Sequence, residues 1–247
     1  MAPDTEIPTR SIEVCFTPKL INLFDYKDSI VVVIDVLRAT STICTALAYD
    51  AESITPVASI DDCLAYRNQG YLIAGERNGE MVDGFDMGNS PFQYINDKVI
   101  GRKIALTTTN GTQAIKAVED AAMVVIGAFV NIDTLCRWLK NQDRNILCLC
   151  AGWKNKFNME DSMLAGAIVH KLKNHFKIDC DSAITSEMLY MKGRHDLFAF
   201  LENSSHRRRL KRLHIESDIK YCLTPNQCNV IPIYQNGVIT KLINTHI

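Results

Sequence analysis

IVVVIDVLRATSTICTALAYDA, residues 30–51, opens with five apolar residues from Ile30 to Ile34 and runs straight into Asp35. An unbroken β-branched run of this length reads as a strand buried on both faces, the kind found in parallel sheets. From Ala39 onward the residues tolerate a helix, and Ile43, Leu47 and the small Ala46 and Ala48 can make one packed face. The stretch is therefore strand, turn, helix, with Asp35, Arg38 and Thr40 at the top of the strand. In open α/β sheets ligands bind at that point. An acid and a guanidinium three residues apart suit a metal and a phosphate respectively. The same two residues also suit a salt bridge that caps the helix, and spacing alone does not choose between the readings.

Outward from this unit the chain alternates strands and helices. Residues 1–10 are polar, contain prolines and are expected to be disordered; a short strand follows at 12–16 and a connection at 18–27. Strands are expected at 53–57, 71–74, 103–107, 123–127 and 146–150, from β-branched and apolar runs between turn residues. Ser59 with Asp62 has capping-box spacing and starts a helix that Gly70 stops. Residues 78–89, NGEMVDGFDMGN, read as a loop closed by Ser90 as N-cap and Pro91 at the first helical position. Helices are expected after Gly111, over 132–141 capped by Asn131, and from Glu160-Asp161 to about Phe176. This alternation predicts one α/β domain over residues 1–247, three-layer α/β/α with a mostly parallel or mixed sheet. Beyond Asp179 the pattern turns helical, over 182–191, 196–202 and 205–213, and 230–233 and 237–242 are expected as edge strands because Pro232 fits an edge.

Composition narrows the partners. The 247 residues are 47% hydrophobic and 22% charged, with a net charge of −1, so no global field recruits nucleic acid. No apolar run approaches the roughly 20 residues of a membrane span, and MAPDTEIPTR has no signal-peptide core. Nine cysteines, mostly embedded singly among apolar residues, fit core packing in a reducing cytoplasm better than a disulfide framework. Arg207-Arg208-Arg209 with Lys211 and Arg212 is expected to be a solvated helix face, and His206 beside it a surface histidine. No nucleic-acid or membrane partner is expected.

The unusual residues cluster at strand ends. Asp35 and Arg38 follow one strand, Glu76 and Arg77 a second, Thr109-Asn110-Gly111 a third and Ala151-Gly152 a fourth. Ends of parallel strands share one edge, so these turns are expected to converge on a single crevice. TTTNGT, residues 107–112, offers hydroxyls and backbone N–H groups at a helix start, a cradle for phosphate or carboxylate or simply a capped turn. Arginines there argue for an anionic ligand, and the acids, with Glu160-Asp161, for Mg²⁺ between ligand and protein. The chain has no GxxxxGK[ST], no GxGxxG after a strand, no CxxxxxR loop, no DxD at Asp35 and no GxSxG. P-loop, dinucleotide, cysteine-phosphatase, aspartyl-phosphate and α/β-hydrolase chemistries therefore lack their fingerprints.

IDVLRAT (34–40), AGER (74–77), GFDMGNSP (84–91), LTTTNGT (106–112), CAG (150–152), MEDSMLAG (159–166), SSHRRRL (204–210) and DIKYC (218–222) resemble, in this order and spacing, the 2-phosphosulfolactate phosphatase (ComB) family. The resemblance spans about residues 11–235; Met87 stands where Leu is expected and Met159 where Ser or Thr is common. It implies a Mg²⁺-dependent cytoplasmic phosphatase that converts 2-phospho-3-sulfolactate to 3-sulfolactate, a step that in methanogens leads to coenzyme M. The alternatives are a broader phosphatase for phosphorylated 2-hydroxy acids and a non-catalytic binder of a phosphorylated metabolite. The expected catalytic residues are Asp35, Arg38, Glu76, Arg77 and Asp161. Substrate contacts are expected from Arg38, Thr40, Arg77, Asn89, Ser90, Thr109, Asn110, Gly111, Thr112, Gly152 and His206. Mg²⁺ ligands are expected among Asp35, Glu76, Asp86, Glu160 and Asp161, more acids than the ion needs. Oligomeric state is open, with a homodimer as one option.

Overall fold

The computed structural model describes residues 9–243; the disorder expected of residues 1–10 falls, for residues 1–8, outside the described part. Strand β1 (Ile12–Cys15) leads to β2 (Ile30–Ile34), α1 (Ala39–Ala48), β3 (Ser53–Pro56), α2 (Ile60–Ala65), β4 (Leu72–Arg77) and the short β5 (Glu80–Met81). There follow β6 (Lys103–Thr107), α3 (Gly111–Lys116), β7 (Met123–Gly127), α4 (Ile132–Lys140), β8 (Ile146–Cys150) and α5 (Met159–Leu172). Helices α6 (Asp181–Gly193), α7 (Leu197–Phe200), α8 (Ser205–Leu210) and α9 (Glu216–Leu223) precede the hairpin β9 (Pro232–Gln235) and β10 (Val238–Lys241). No described helix is long and apolar enough to cross a membrane.

The strands form one mixed sheet in the order β1-β8-β2-β7-β9-β10-β3-β6-β4-β5. β2 lies between β8 and β7, parallel to both, and all five of its residues are buried. The two-residue period of a strand explains why. Ile30, Val32 and Ile34 pack with α4 and α5 residues such as Leu135, Leu139, Leu164 and Ile168, while Val31 and Val33 pack with Ile43, Leu47 and Ile115 from α1 and α3. Each face thus has its own core, and the architecture is three-layer α/β.

Three local expectations need correction. The β9–β10 hairpin is not at an edge but in the middle of the sheet, antiparallel to β7 on one side and to β3 on the other. Pro232 is tolerated there because it begins its strand, beyond the β9 residues that pair with β7. Asn131 does not cap α4; its Oδ1 accepts from Ala128 N (2.9 Å) and its Nδ2 donates to the carbonyls of Ile126 (3.2 Å) and Val230 (3.1 Å). That side chain ties the entry of the hairpin to the end of β7. The loop expected over residues 78–89 contains β5, paired back on Glu76 and Arg77.

The hairpin has a further effect. Three successive antiparallel pairings, β7 to β9, β9 to β10 and β10 to β3, reverse the sense of the parallel block β3-β6-β4 relative to β1-β8-β2-β7. The crucial strand ends therefore do not lie along one parallel edge. What joins the blocks is the close seat of the α3 start on β2 and α1. A Cβ on Gly111 would stand 2.6 Å from Ala39 Cβ and 2.9 Å from Asp35 Oδ2, so only glycine permits this approach.

Candidate active site

Four strand exits meet in a small recess of about 20 Å³ whose lining includes Asp35, Arg38, Glu76, Asn89, Asn110 and His206. Asp35 follows β2, and its backbone is fixed by Thr40: Thr40 Oγ1 accepts from Asp35 N (3.2 Å) and donates to Asp35 O (2.9 Å). Thr40 is thus a turn former, fully buried. Among the described residues no hydrogen bond reaches the Asp35 carboxylate. Burial pushes its carboxyl well above the usual carboxylate range; Asp161, Glu76 and Glu160 add to this and His206 opposes it.

The neighbouring acids are differently engaged. Asp161, capped from behind by Asn158, accepts Val36 N on Oδ1 (2.9 Å) and Gly152 N on Oδ2 (3.0 Å). It pins the exits of β2 and β8 to the head of α5. Burial and Glu160 push its carboxyl up to about 8, against these N–H donors, which favour the ionised form. Glu76 joins two turns: Oε1 accepts Thr109 N (2.7 Å) and Oε2 accepts Gly79 N (2.7 Å). Glu160 is fully buried; Oε1 takes a hydrogen bond from His206 Nδ1, while Oε2 has no partner among the described residues. A carboxylate only accepts, so the Nδ1 proton sits between them.

Arg38 is buried and ion-paired with Asp218 of α9, not with Asp35; its other nitrogen donates to Gly79 O (2.8 Å). Asp218 also accepts from Ser90 Oγ (3.0 Å). Asn89 lines the recess with its buried Oδ1 unpartnered among the described residues. Thr112 closes the turn before α3, its N donating to Thr108 Oγ1 and its Oγ1 to Thr108 O, both at 3.1 Å. Asn110 Oδ1 accepts from Lys154 N (3.2 Å), and Thr109 Oγ1 is buried without a partner among the described residues.

Some expected site residues stand elsewhere. Arg77 turns away from the recess and donates to Thr107 Oγ1 (3.0 Å) and Glu76 O (2.7 Å), as strand alternation requires once Glu76 faces inward. Asp86 lies beside the start of β4, accepting Ile73 N (2.8 Å) and facing Arg67 at 3.6 Å. Gly152 (φ +65°) serves the turn through its N–H to Asp161; a Cβ there would meet Lys156 O at 2.4 Å. His206 is not a surface residue but 4% exposed, its ring centroid 5.2 Å from that of Trp153. The basic run is also not simply solvated: Arg207 stacks on Phe198 at 3.9 Å and Arg209 on Trp153 at 4.8 Å. Sequence reasoning singled out neither Asp218 nor Trp153; the one signal for Asp218 is its place in DIKYC, and Trp153 follows Gly152 directly.

The donor set fits Mg²⁺ in charge and chemistry, though no three His, Cys, Asp or Glu side chains among the described residues form a ready cage. Glu76 and Asp161 spend their oxygens on backbone N–H groups. Asp35 and the orphaned Glu160 Oε2 are left, hard oxygens in a crowd of like charge. Mg²⁺ keeps several waters and needs only one or two carboxylates.

Comparison with known proteins bears on most of the chain. The sequence model of the family described as 2-phosphosulpholactate phosphatase matches residues 15–237. A protein of Caldanaerobacter subterraneus subsp. tengcongensis named "Probable 2-phosphosulfolactate phosphatase" is 38% identical over 224 residues, 89% of this chain and 93% of its own length. Proteins of the same name from Thermotoga petrophila and Thermotoga maritima are each 41% identical over 208 residues, 84% of this chain and 89% of theirs. The matched span holds every residue that lines the recess, together with Asp161 and Asp218 that brace it, and on these grounds the chain belongs to the 2-phosphosulfolactate phosphatase family.

Proposed function

We propose that this protein hydrolyses 2-phospho-3-sulfolactate to 3-sulfolactate and phosphate, with Mg²⁺, in the recess beside Asp35. The observation that carries the reading is a buried carboxylate with no donor among the described residues, set in a recess with a buried guanidinium and a carboxylate-bound histidine. Family membership and the relatives' names supply the substrate.

In hydrolysis a water oxygen bonds to phosphorus, the bond from phosphorus to the C2 oxygen breaks, and that oxygen takes a proton. Arg38, held by Asp218 and Gly79 O, has a fixed fork that meets phosphoryl oxygens. Asp35 faces the reacting group from the rigid end of β2, as nucleophile or as the group that orients water. His206, with Nδ1 fixed on Glu160, has Nε2 free to hold the proton for the departing oxygen. Asp161 and Glu76 work through the backbone, keeping the turns of β2, β8, β4 and β6 in register around these groups. Asp35 and Glu160 would hold Mg²⁺, which when bound would neutralise charge on the phosphoryl oxygens.

The test is phosphate release from 2-phospho-3-sulfolactate with Mg²⁺ and with chelator. Turnover that needs Mg²⁺ and prefers this substrate over other phosphorylated 2-hydroxy acids supports the reading. Equal turnover of many such acids would broaden the substrate class, and tight binding without turnover would make the protein a sensor.

A further inference from the structure

The recess holds little more than a water or an ion, since a cavity of about 20 Å³ is close to the 10–15 Å³ that one water requires. The body of any substrate must therefore lie outside it. A second cavity of about 170 Å³ adjoins it, sharing Trp153, His206 and Leu210, and its other walls come from Asn78, Arg208, Arg209 and Arg212. The two differ sharply in charge. The inner recess is lined by two carboxylates, Asp35 and Glu76, against one guanidinium, Arg38, whereas the outer cavity has three guanidinium groups and no acid.

These arginines are not spent on carboxylates: among the described residues none of the three forms an ion pair. Arg208 donates to Asn203 O, and Arg209 lies over the Trp153 ring with its buried Nε–H unmet. A buried donor without an acceptor is costly, and a ligand oxygen would relieve it. Trp153 offers an apolar wall between the two cavities for a short carbon chain.

Building on the reading of the recess as a phosphatase site, we propose that the Arg208–Arg209–Arg212 cavity binds the non-reacting oxyanion of the substrate. It selects for a phosphomonoester that carries a second, permanently ionised group a few bonds from phosphorus. Guanidinium forks match sulfonate and carboxylate oxygens bidentately, and an ammonium does not. The basic run on α8 and the turn after it, with no role in the chemistry at Asp35, thereby acquires one in specificity.

The experiment compares wild type with Arg209→Gln, Arg212→Gln and the double variant on three substrates: 2-phospho-3-sulfolactate, 2-phospholactate, which lacks the sulfonate, and the phosphate ester of 2-hydroxyethanesulfonate, which lacks the carboxylate. Wild type should prefer the full substrate over one of the truncated ones by about 10⁴-fold, the scale on which a site built to bond a polar group rejects the analogue that lacks it. The double variant should lose most of that preference through KM, with Arg→Lys variants between. Which truncated substrate loses its disadvantage identifies the oxyanion held. A preference that survives intact in the double variant overturns the inference, as does the same loss from Lys154→Ala and none from the arginines. Calorimetric titration with 3-sulfolactate reads the cavity without turnover. Binding by wild type that the double variant weakens tenfold or more supports the inference even if the phosphatase reading fails, and equal binding by both refutes it.

Discussion

Replacing Asp35 with asparagine should make the protein more stable and nearly inactive. The carboxylate is buried, takes no hydrogen bond from the described residues and faces Asp161, Glu76 and Glu160. Asparagine keeps the shape and removes the charge. Its folded-state pKa lies above the ordinary value of 3.8, so the folded protein holds this proton more tightly than the unfolded chain. Stability therefore falls as pH rises from about 4 through the raised pKa, and the benefit of the substitution grows over the same window. Relief of one buried, unpaired like charge is worth on the order of 1–3 kcal/mol, or about 3–10 °C in Tm for a chain of this size. The assay is thermal unfolding of both proteins in chelator, at pH 5 and pH 8, with phosphate release measured in parallel at saturating Mg²⁺. Tm should rise more at pH 8 than at pH 5, where only part of the penalty has developed, while kcat/KM falls by about 10³ or more, a loss of roughly 4 kcal/mol. A variant with wild-type activity would refute the role given to Asp35, and a lower Tm at pH 8 would refute the electrostatic account.

Arg38→Ala should cost about 3–5 kcal/mol of stability, because it strands Asp218 without its cation, and should lower kcat/KM about 10²–10³-fold. Adding Asp218→Ala should restore much of the Tm but not the activity, as denaturation and kinetics of the three variants would show. Gly166→Ala should destabilise by about 1–3 kcal/mol or more, since its Cβ would lie 1.9 Å from Ser186 O where α5 meets α6; an unchanged urea midpoint would contradict that contact. Alkylation of native protein at pH 7.5 should spare Cys15 and Cys63, each pushed up to about 11 by burial, and Cys136 and Cys222, each up to about 12, leaving the half-buried Cys180 to react; mass spectrometry locates the adducts. Mg²⁺ should raise Tm more at pH 8 than at pH 5.5, because protons compete for the raised carboxyls, and calorimetry should show protons released on binding.

The parts of the fold that were legible are those dictated by local pattern. Ile30–Ile34, Lys103–Thr107, Met123–Gly127 and Ile146–Cys150 form strands at the expected residues, because each is an apolar run between turn residues. Position within the sheet was not legible. Pro232 argues locally for an edge, but the hairpin's neighbours are β7 and β3, and its entry is tied by Asn131, whose hydrogen bond to Val230 spans 99 residues. The site divides in the same way. Asp35, Glu76 and Asn110 could be placed from the strands that precede them. His206 was misplaced because its burial depends on Glu160, 46 residues away, while its sequence neighbours are arginines. Spacing offers Arg38 the acid three residues off, Asp35, but its partner is Asp218, 180 residues away. Charges pair through space, and local spacing cannot tell which acid an arginine reaches.

The central position of residues 232–241 has a consequence for biosynthesis. Until that hairpin has left the ribosome, β7 and β3 face a gap, each with one edge row of backbone donors and acceptors unpaired, beside the Val- and Ile-rich run of β7 on one side and Ile54 of β3 on the other. Nascent chains must wait in that state, with both halves made and the join between them missing. Such open edges invite pairing between neighbouring chains on one polysome, so the hazard in making this protein is concentrated in the interval before residues 232–241 emerge. Truncation before Pro232 would make that waiting state permanent.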